Sequence, residues 1–324
     1  MTIRSFLSLC VWALLSLVFP LATTAQTSEH GRELIRDPHF QNGFLLLEPK
    51  TGKRVVYVEI THAPPARPAW DLAQWSSHFP LDPGSTTHSS SGVKCWTNAA
   101  KRVCIGKAGT PEADLSLGVN ANIEYGGRAR KSSSEPWIHL LVQQDFENPP
   151  ALTTLTSCPF HLEARLKHSE LHRTPDYTPA RHAAQFLLFF TVANHNPKSP
   201  GYGQYLWFGI PVYDDLERMV AAYQAKDFGD TASFIYTPAS TNYAKTSTHD
   251  GQWVTFEADL LPFMRAGLEA GWKAGFMKGS HDWADYQITG MNAGWEVPGV
   301  FDVELQLGNL SLLAVSGEPA KNRP

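Results

Sequence analysis

Apolar and polar residues alternate with period two through much of this chain. Leu115, Leu117, Val119, Ala121, Ile123 and Tyr125 fall on one side of an extended segment, opposite Ser116, Gly118, Asn120, Asn122 and Glu124. Phe160, Leu162, Ala164 and Leu166 oppose His161, Glu163, Arg165 and Lys167 in the same way. Alternation of this kind predicts strands with one buried face, because successive side chains leave a strand on opposite sides. Further strands are predicted over residues 53–61, 137–144, 204–210, 232–236, 252–259 and 300–313. Residues 185–192 are apolar on both faces and predict a strand in the middle of a sandwich. In the final strand Phe301, Val303, Leu305 and Leu307 share one face, whereas Leu310 and Leu312 have the opposite phase. A one-residue β-bulge near Gly308 returns both to the core. Helical periodicity is confined to residues 214–225 and 262–270, the second opened by Pro262 at a position where its missing N–H costs little.

Between these segments lie stretches rich in Pro, Gly and Ser, at residues 63–68, 80–92, 194–203 and 238–251. Apolar strands recur on both sides of each, so they read as long loops on a β scaffold. With 10 Trp, many short strands and few helices, the chain is expected to be mostly β, a two-sheet jelly-roll sandwich with long loops and one or two short helices. At the amino terminus Arg4 precedes the apolar run Phe6 to Leu21, and the small residues Ala22, Thr23, Thr24 and Ala25 follow. That order predicts a signal peptide over residues 1–25, cleaved near Ala25, and a secreted or periplasmic mature chain. The run is broken by Ser8, Ser16 and Pro20, short of the ~20 clean apolar residues of a spanning helix. No membrane span is therefore expected. Residues 26–315 are expected to form a single sandwich and residues 316–324 a disordered tail.

The formal charge is -4, with acids and bases interspersed, which argues against nucleic acid as the main partner. Past the signal, the cysteines are Cys95, Cys104 and Cys158. In an oxidising compartment Cys95 and Cys104 are the natural disulfide, since the short loop between them can fold as a hairpin. Cys158 sits among apolar neighbours and reads as a buried, inert thiol.

Both ends of the mature chain resemble those of galactose-binding-like jelly rolls, the fold of many carbohydrate-binding modules. Leu34-Ile35-Arg36-Asp37-Pro38-His39-Phe40-Gln41-Asn42-Gly43 resembles the opening strand, and the segment from Phe301 to Leu312 resembles the closing one. Residues 251–260 are similar to penultimate strands of such modules. The resemblance implies that the first and last strands pair and close one domain. It also implies a structural calcium ion, Ca2+, near those strands, with Asp37 and Asp302 as ligands, although Gln41 and Asn309 stand where carboxylates are usual.

Sugar recognition needs aromatic faces for pyranose rings and planar polar groups for hydroxyl pairs. Aromatics cluster at Trp70 and Trp75, at Tyr202, Tyr205 and Trp207, and at Trp272, Trp283, Tyr286 and Trp295. Trp283 and Trp295, in Gly- and Asp-rich contexts, are the preferred stacking platforms. His139, Gln143, Asn120, Asn122 and Arg165 supply the polar strand faces, and Glu124 is the preferred carboxylate among them. Glu257 and Asp259, two apart on a strand, resemble part of the Glu-x-Asp-x-x-Glu signature of jelly-roll glucanases; the third carboxylate is absent. The leading expectation is a secreted protein that holds a polysaccharide or oligosaccharide in a groove of aromatic and amide side chains. The alternatives are a polysaccharide-degrading enzyme, either a glycoside hydrolase or a lyase using His139, Gln143, Arg165 and a Tyr, and a surface protein that binds a protein partner through its loops.

Overall fold

In the computed structural model, residues 31–317 are described, except 51, 63–65, 111 and 230. The expected signal peptide and residues 318–324 of the expected tail lie outside the described residues. In chain order the strands are β1 (Arg32–Glu33), β2 (Phe44–Leu47), β3 (Val56–Ile60), β4 (Trp70–Ala73), β5 (Thr86–Ser90) and β6 (Val93–Thr97). Then come β7 (Lys101–Ile105), β8 (Leu115–Asn120), β9 (Ile138–Asp145), β10 (Leu155–Ser157), β11 (Pro159–Leu171) and β12 (Gln185–Asn194). β13 (Tyr205–Asp214), β14 (Tyr223–Lys226), β15 (Phe234–Thr237), β16 (Val254–Asp259), β17 (Tyr286–Val297) and β18 (Phe301–Ser316) complete them. Among the described residues the α-helices are α1 (Ala121–Glu124) and α2 (Leu261–Lys273).

These strands form two sheets of nine, the two-sheet β-sandwich that the alternation predicts. The first runs β16-β11-β18-β8-β7-β6-β5, with β1 and β10 also on β18; the second runs β14-β15-β13-β12-β17-β9-β4-β2-β3. Their inward faces share one continuous apolar core, with Trp70, Phe186, Phe190, Phe208, Phe256 and Trp295 all fully enclosed. Each such side chain contributes about 1.5–3 kcal/mol by leaving water. α2 lays Gly267 and Gly271 against Leu206, Tyr236 and Phe234, so it closes the sandwich where β13 and β15 run parallel.

The first and last strands do pair, Arg32 with Ala314 and Glu33 with Leu313, and the Leu34 N–H donates to the Leu312 carbonyl, but residues 34–43, which resemble an opening strand, form bends and turns instead. The bulge in β18 is also where the phase change places it. His161 pairs with Ser311 but Glu163 with Gly308, so β18 carries one extra residue there. Asn309 takes it up at φ +52°, and Leu305, Leu307, Leu310 and Leu312 all reach the core.

Other expected elements differ as well: the expected loop over residues 80–92 carries β5. The strand beginning at Leu115 stops at Asn120, whose side chain accepts the Ile123 N–H and caps α1. Residues 214–225 form no helix: the Asp214 carboxylate accepts the N–H groups of Leu216 and Glu217, turning the chain out of β13, and it returns as β14. A short acidic side chain competing for nearby N–H groups favours a turn over a helix. No helix among the described residues is long and apolar enough to cross a membrane.

Candidate functional site

The outward face of the second sheet is ordered in rows by strand register. Asp71 on β4 pairs with Gln143 on β9, Gln143 with Asn292 on β17, Asn292 with Phe189 on β12, and Phe189 with Gly209 on β13. One row along lie Asp145, Gly290, Thr191, Trp207 and Ile235. On the other side Leu141, Gly294, Leu187 and Pro211 form an apolar strip, followed by His139, Glu296, Gln185 and Asp214. Residues between these rows point inward, so every member of the grid faces away from the core.

A depression of ≈ 350 Å³ opens on this face, lined by Arg54, Asp71, Gln143, Thr191, Trp207 and Asn292 among others. Arg54 forks onto Asp71 with two hydrogen bonds of 2.7 and 2.8 Å, and the Gln143 amide donates to the same carboxylate at 3.4 Å. The side-chain oxygen of Gln143 and the whole amide of Asn292 meet no hydrogen-bond partner among the described residues. Trp207 stands edge-on to Phe189 and Tyr205, with ring centroids 5.8 and 5.2 Å apart, and its indole N–H donates to the Thr231 hydroxyl at 3.3 Å. At the other side of the sheet Leu47, Ala73 and Leu141 are buried on this outward face as a separate apolar cluster beneath Trp75. The face is therefore walled on both sides instead of lying open to water.

Glu296 is half-buried in the fourth row, and its carboxyl has no hydrogen bond or ion pair among the described residues. Burial pushes it above the ordinary glutamate value, with His139 opposing and Asp227 reinforcing the shift. Gln185 beside it donates to Asp214 at 2.7 Å.

The structure brings only His139 and Gln143 of the expected ligand set to this face. Arg165 and Asn120 lie on the outward face of the first sheet: Arg165 donates to Gln306 and sits over Trp253, and Asn120 donates to Asp302. The trio His139, Gln143 and Arg165 is thus divided between opposite sides of the sandwich. Asn122 belongs to α1. Trp295 is 0% exposed, packed against Phe186 and Tyr213 with its indole N–H on the Leu117 carbonyl, so it offers no ring face to a ligand. Trp283 is half-buried edge-on to Trp272, with the Arg265 guanidinium over it, and does not line the depression.

The expected carboxylates also sit elsewhere. Glu124 is sealed in an ion pair with Lys101, both side chains 0% exposed, and accepts from Ser77 and the His78 N–H. Glu257 and Asp259 share the outward face of edge strand β16, where Asp259 accepts from the N–H groups of Cys158 and Leu261 and so secures the start of α2. The Cys95–Cys104 disulfide joins β6 to β7 directly across their pairing. Cys158 is buried and its thiol is pushed up to about 12 by burial, then by Asp259 and Glu33, which leaves it inert.

For calcium the donor set does not fit. Both oxygens of Asp37 accept backbone N–H groups, from Gln41 and Asn42, and the Gln41 amide donates to the His39 and Gly106 carbonyls that a cation would need. Asn309 likewise donates, to Asp114 and Glu163. Asp302 accepts from Asn120 and lies 3.8 Å from the His168 ring, and no group of three or more His, Cys, Asp or Glu is placed to hold a metal ion among the described residues.

Comparison with known proteins adds the following. No family model matches the chain. No curated protein matches it either. Among solved structures it is similar to a thermostable cellulase derived from Cel12A of Rhodothermus marinus, at 12% identity over 75% of this chain and 98% of that one, with a TM-score of 0.38. It is similar to the family 11 xylanase from Neocallimastix patriciarum at 9% identity, over 76% and 99% of the two chains, with a TM-score of 0.36. A third, endoglucanase 3 of Trichoderma harzianum from family GH12, gives 12% identity, 78% and 100% coverage and a TM-score of 0.35.

Proposed function

We propose that the protein binds a neutral polysaccharide along the outward face of its second sheet. The observation that carries this reading is the cross-strand row Asp71, Gln143, Asn292 and Phe189 beside Trp207. Strand spacing sets these groups ~4.8 Å apart on a rigid support. Free amide positions meet sugar hydroxyls, and the aromatic rings meet apolar sugar faces. Charge narrows the ligand. The two arginines of the depression are each paired, Arg54 with Asp71 and Arg36 with Glu147, while Asp145 has no ion pair among the described residues. An acidic groove without a free guanidinium favours neutral sugars over uronate or sulfate polymers.

Affinity electrophoresis through gels containing neutral glucans, xylans or mannans, and separately alginate or pectate, tests this. Retardation is expected in at least one neutral polymer and not in the acidic ones. Unchanged mobility in every neutral polymer contradicts the reading.

A further inference from the structure

The fourth row of the same face holds two carboxyl groups that binding alone does not require. Glu296 and Asp214 flank Gln185 on three neighbouring strands, so their Cα atoms are about 10 Å apart at ordinary strand spacing. They point to the same side as the depression. A sugar chain lying along β17 from Asn292 crosses Gly294, which has no side chain, between Leu141 and Leu187, and arrives at Glu296.

Their surroundings differ in the way an acid and a base require. The Glu296 carboxyl makes no hydrogen bond or ion pair among the described residues. It lies beside His139 on β9, its register partner, and within electrostatic reach of Asp227. Asp214 is held on three sides, by the Gln185 amide at 2.7 Å and the N–H groups of Leu216 and Glu217 at 2.9 and 3.0 Å. A carboxylate has about four lone-pair positions, so one remains to accept from water.

Resting on the polysaccharide-binding reading, we propose that this face also hydrolyses glycosidic bonds, with Glu296 as general acid and Asp214 as general base. Water gives its proton to Asp214 as its oxygen bonds to the anomeric carbon. The bond from that carbon to the glycosidic oxygen breaks on the opposite side, and the Glu296 proton passes to the departing oxygen. A Cα separation of about 10 Å on one face accommodates the ~6.5–9.5 Å between carboxyls that leaves room for the water and gives inversion at the anomeric centre. Burial supports the assignment by keeping Glu296 protonated to higher pH than an ordinary glutamate.

The test incubates the purified chain with the neutral polymers of the electrophoresis panel and follows new reducing ends, with the first-formed anomer read by NMR. Cleavage with inversion is expected. Glu296→Gln and Asp214→Asn should each lower the rate by about 10²–10⁴-fold while retardation in the gel persists. The Glu296→Gln loss should shrink on a dinitrophenyl glycoside, whose leaving group needs no proton, a signature that a merely structural role does not produce. Retardation without cleavage overturns hydrolysis and leaves binding intact, and retention of configuration overturns Asp214 as base. Absence of both retardation and cleavage overturns both readings.

Discussion

Replacing Glu124 by Gln removes one half of an ion pair that has no access to water. Both side chains are 0% exposed, and among the described residues the Lys101 ammonium reaches only Glu124 and the Ser77 hydroxyl, the latter at 2.8 Å. Glu124 in turn accepts from Ser77 at 2.7 Å and from the His78 and Phe79 N–H groups at 2.7 and 3.3 Å, tying the loop after β4 to α1. The glutamine leaves a buried ammonium without its counter-charge, and breaking such a pair costs about 3–5 kcal/mol. With a urea m-value of about 3 kcal/mol/M, the unfolding midpoint falls by on the order of 1 M. Burial alone would raise the Glu124 pKa, but Lys101, Ser77 and the His78 N–H reverse this and hold it below the ordinary value. The stabilisation is therefore present above the unfolded glutamate pKa and is lost as pH falls through the folded one. Urea titrations monitored by tryptophan fluorescence at pH 7 measure the cost. A double variant, Lys101→Met with Glu124→Gln, should recover most of it, since an apolar replacement for a buried pair is often neutral. A Glu124→Gln midpoint within about 0.2 M of wild type refutes the reasoning.

Burial, with Asp214 adding to it, pushes the Asp215 carboxyl up to about 6, so its charged form is penalised in the fold above that pH and relieved as pH falls through it. Asp215→Asn is expected to unfold at a higher urea concentration than wild type at pH 8 and to converge with it near pH ~4; parallel curves at both pH values contradict this. Cys95→Ser with Cys104→Ser opens the β6–β7 staple, whose short loop predicts a loss of about 3 kcal/mol, checked by comparing urea midpoints with those of the oxidised wild type; equal midpoints contradict it. Gly294→Ala places a Cβ 2.1 Å from the Leu140 carbonyl oxygen at φ +154°, prising β17 from β9. It should unfold well below wild type in a thermal melt, and an unchanged Tm contradicts that backbone contact.

Much of the architecture is written in side-chain period. The two phases of the final strand locate the bulge at Asn309, because only one extra residue lets Leu305 and Leu310 share a core. The site was less legible. Asn292-Ala293-Gly294-Trp295-Glu296 has the composition of a loop, yet Met291, Ala293, Trp295 and Val297 keep strict alternation and face the core. Following that period instead of the glycine would have turned Trp295 inward and Asn292 and Glu296 outward. Glu124 belongs to an outward polar face only if the strand continues past Asn120, and the burial of Lys101 beside it depends on pairing that no local pattern reveals. Which polar faces converge is likewise a matter of sheet assignment. Gln143 and Asn120 alternate alike in sequence but lie on opposite sides of the sandwich.

The most direct measurement compares polysaccharide affinity for variants on the two outward faces. Asn292→Ala, on the second sheet, is expected to weaken retardation in the bound neutral polymer by about tenfold, equivalent to ~1.4 kcal/mol, with an unchanged urea midpoint. Arg165→Ala, on the first sheet, is expected to bind as wild type does. Loss of binding with Arg165→Ala and none with Asn292→Ala contradicts the account, because it moves the ligand to the other side of the sandwich.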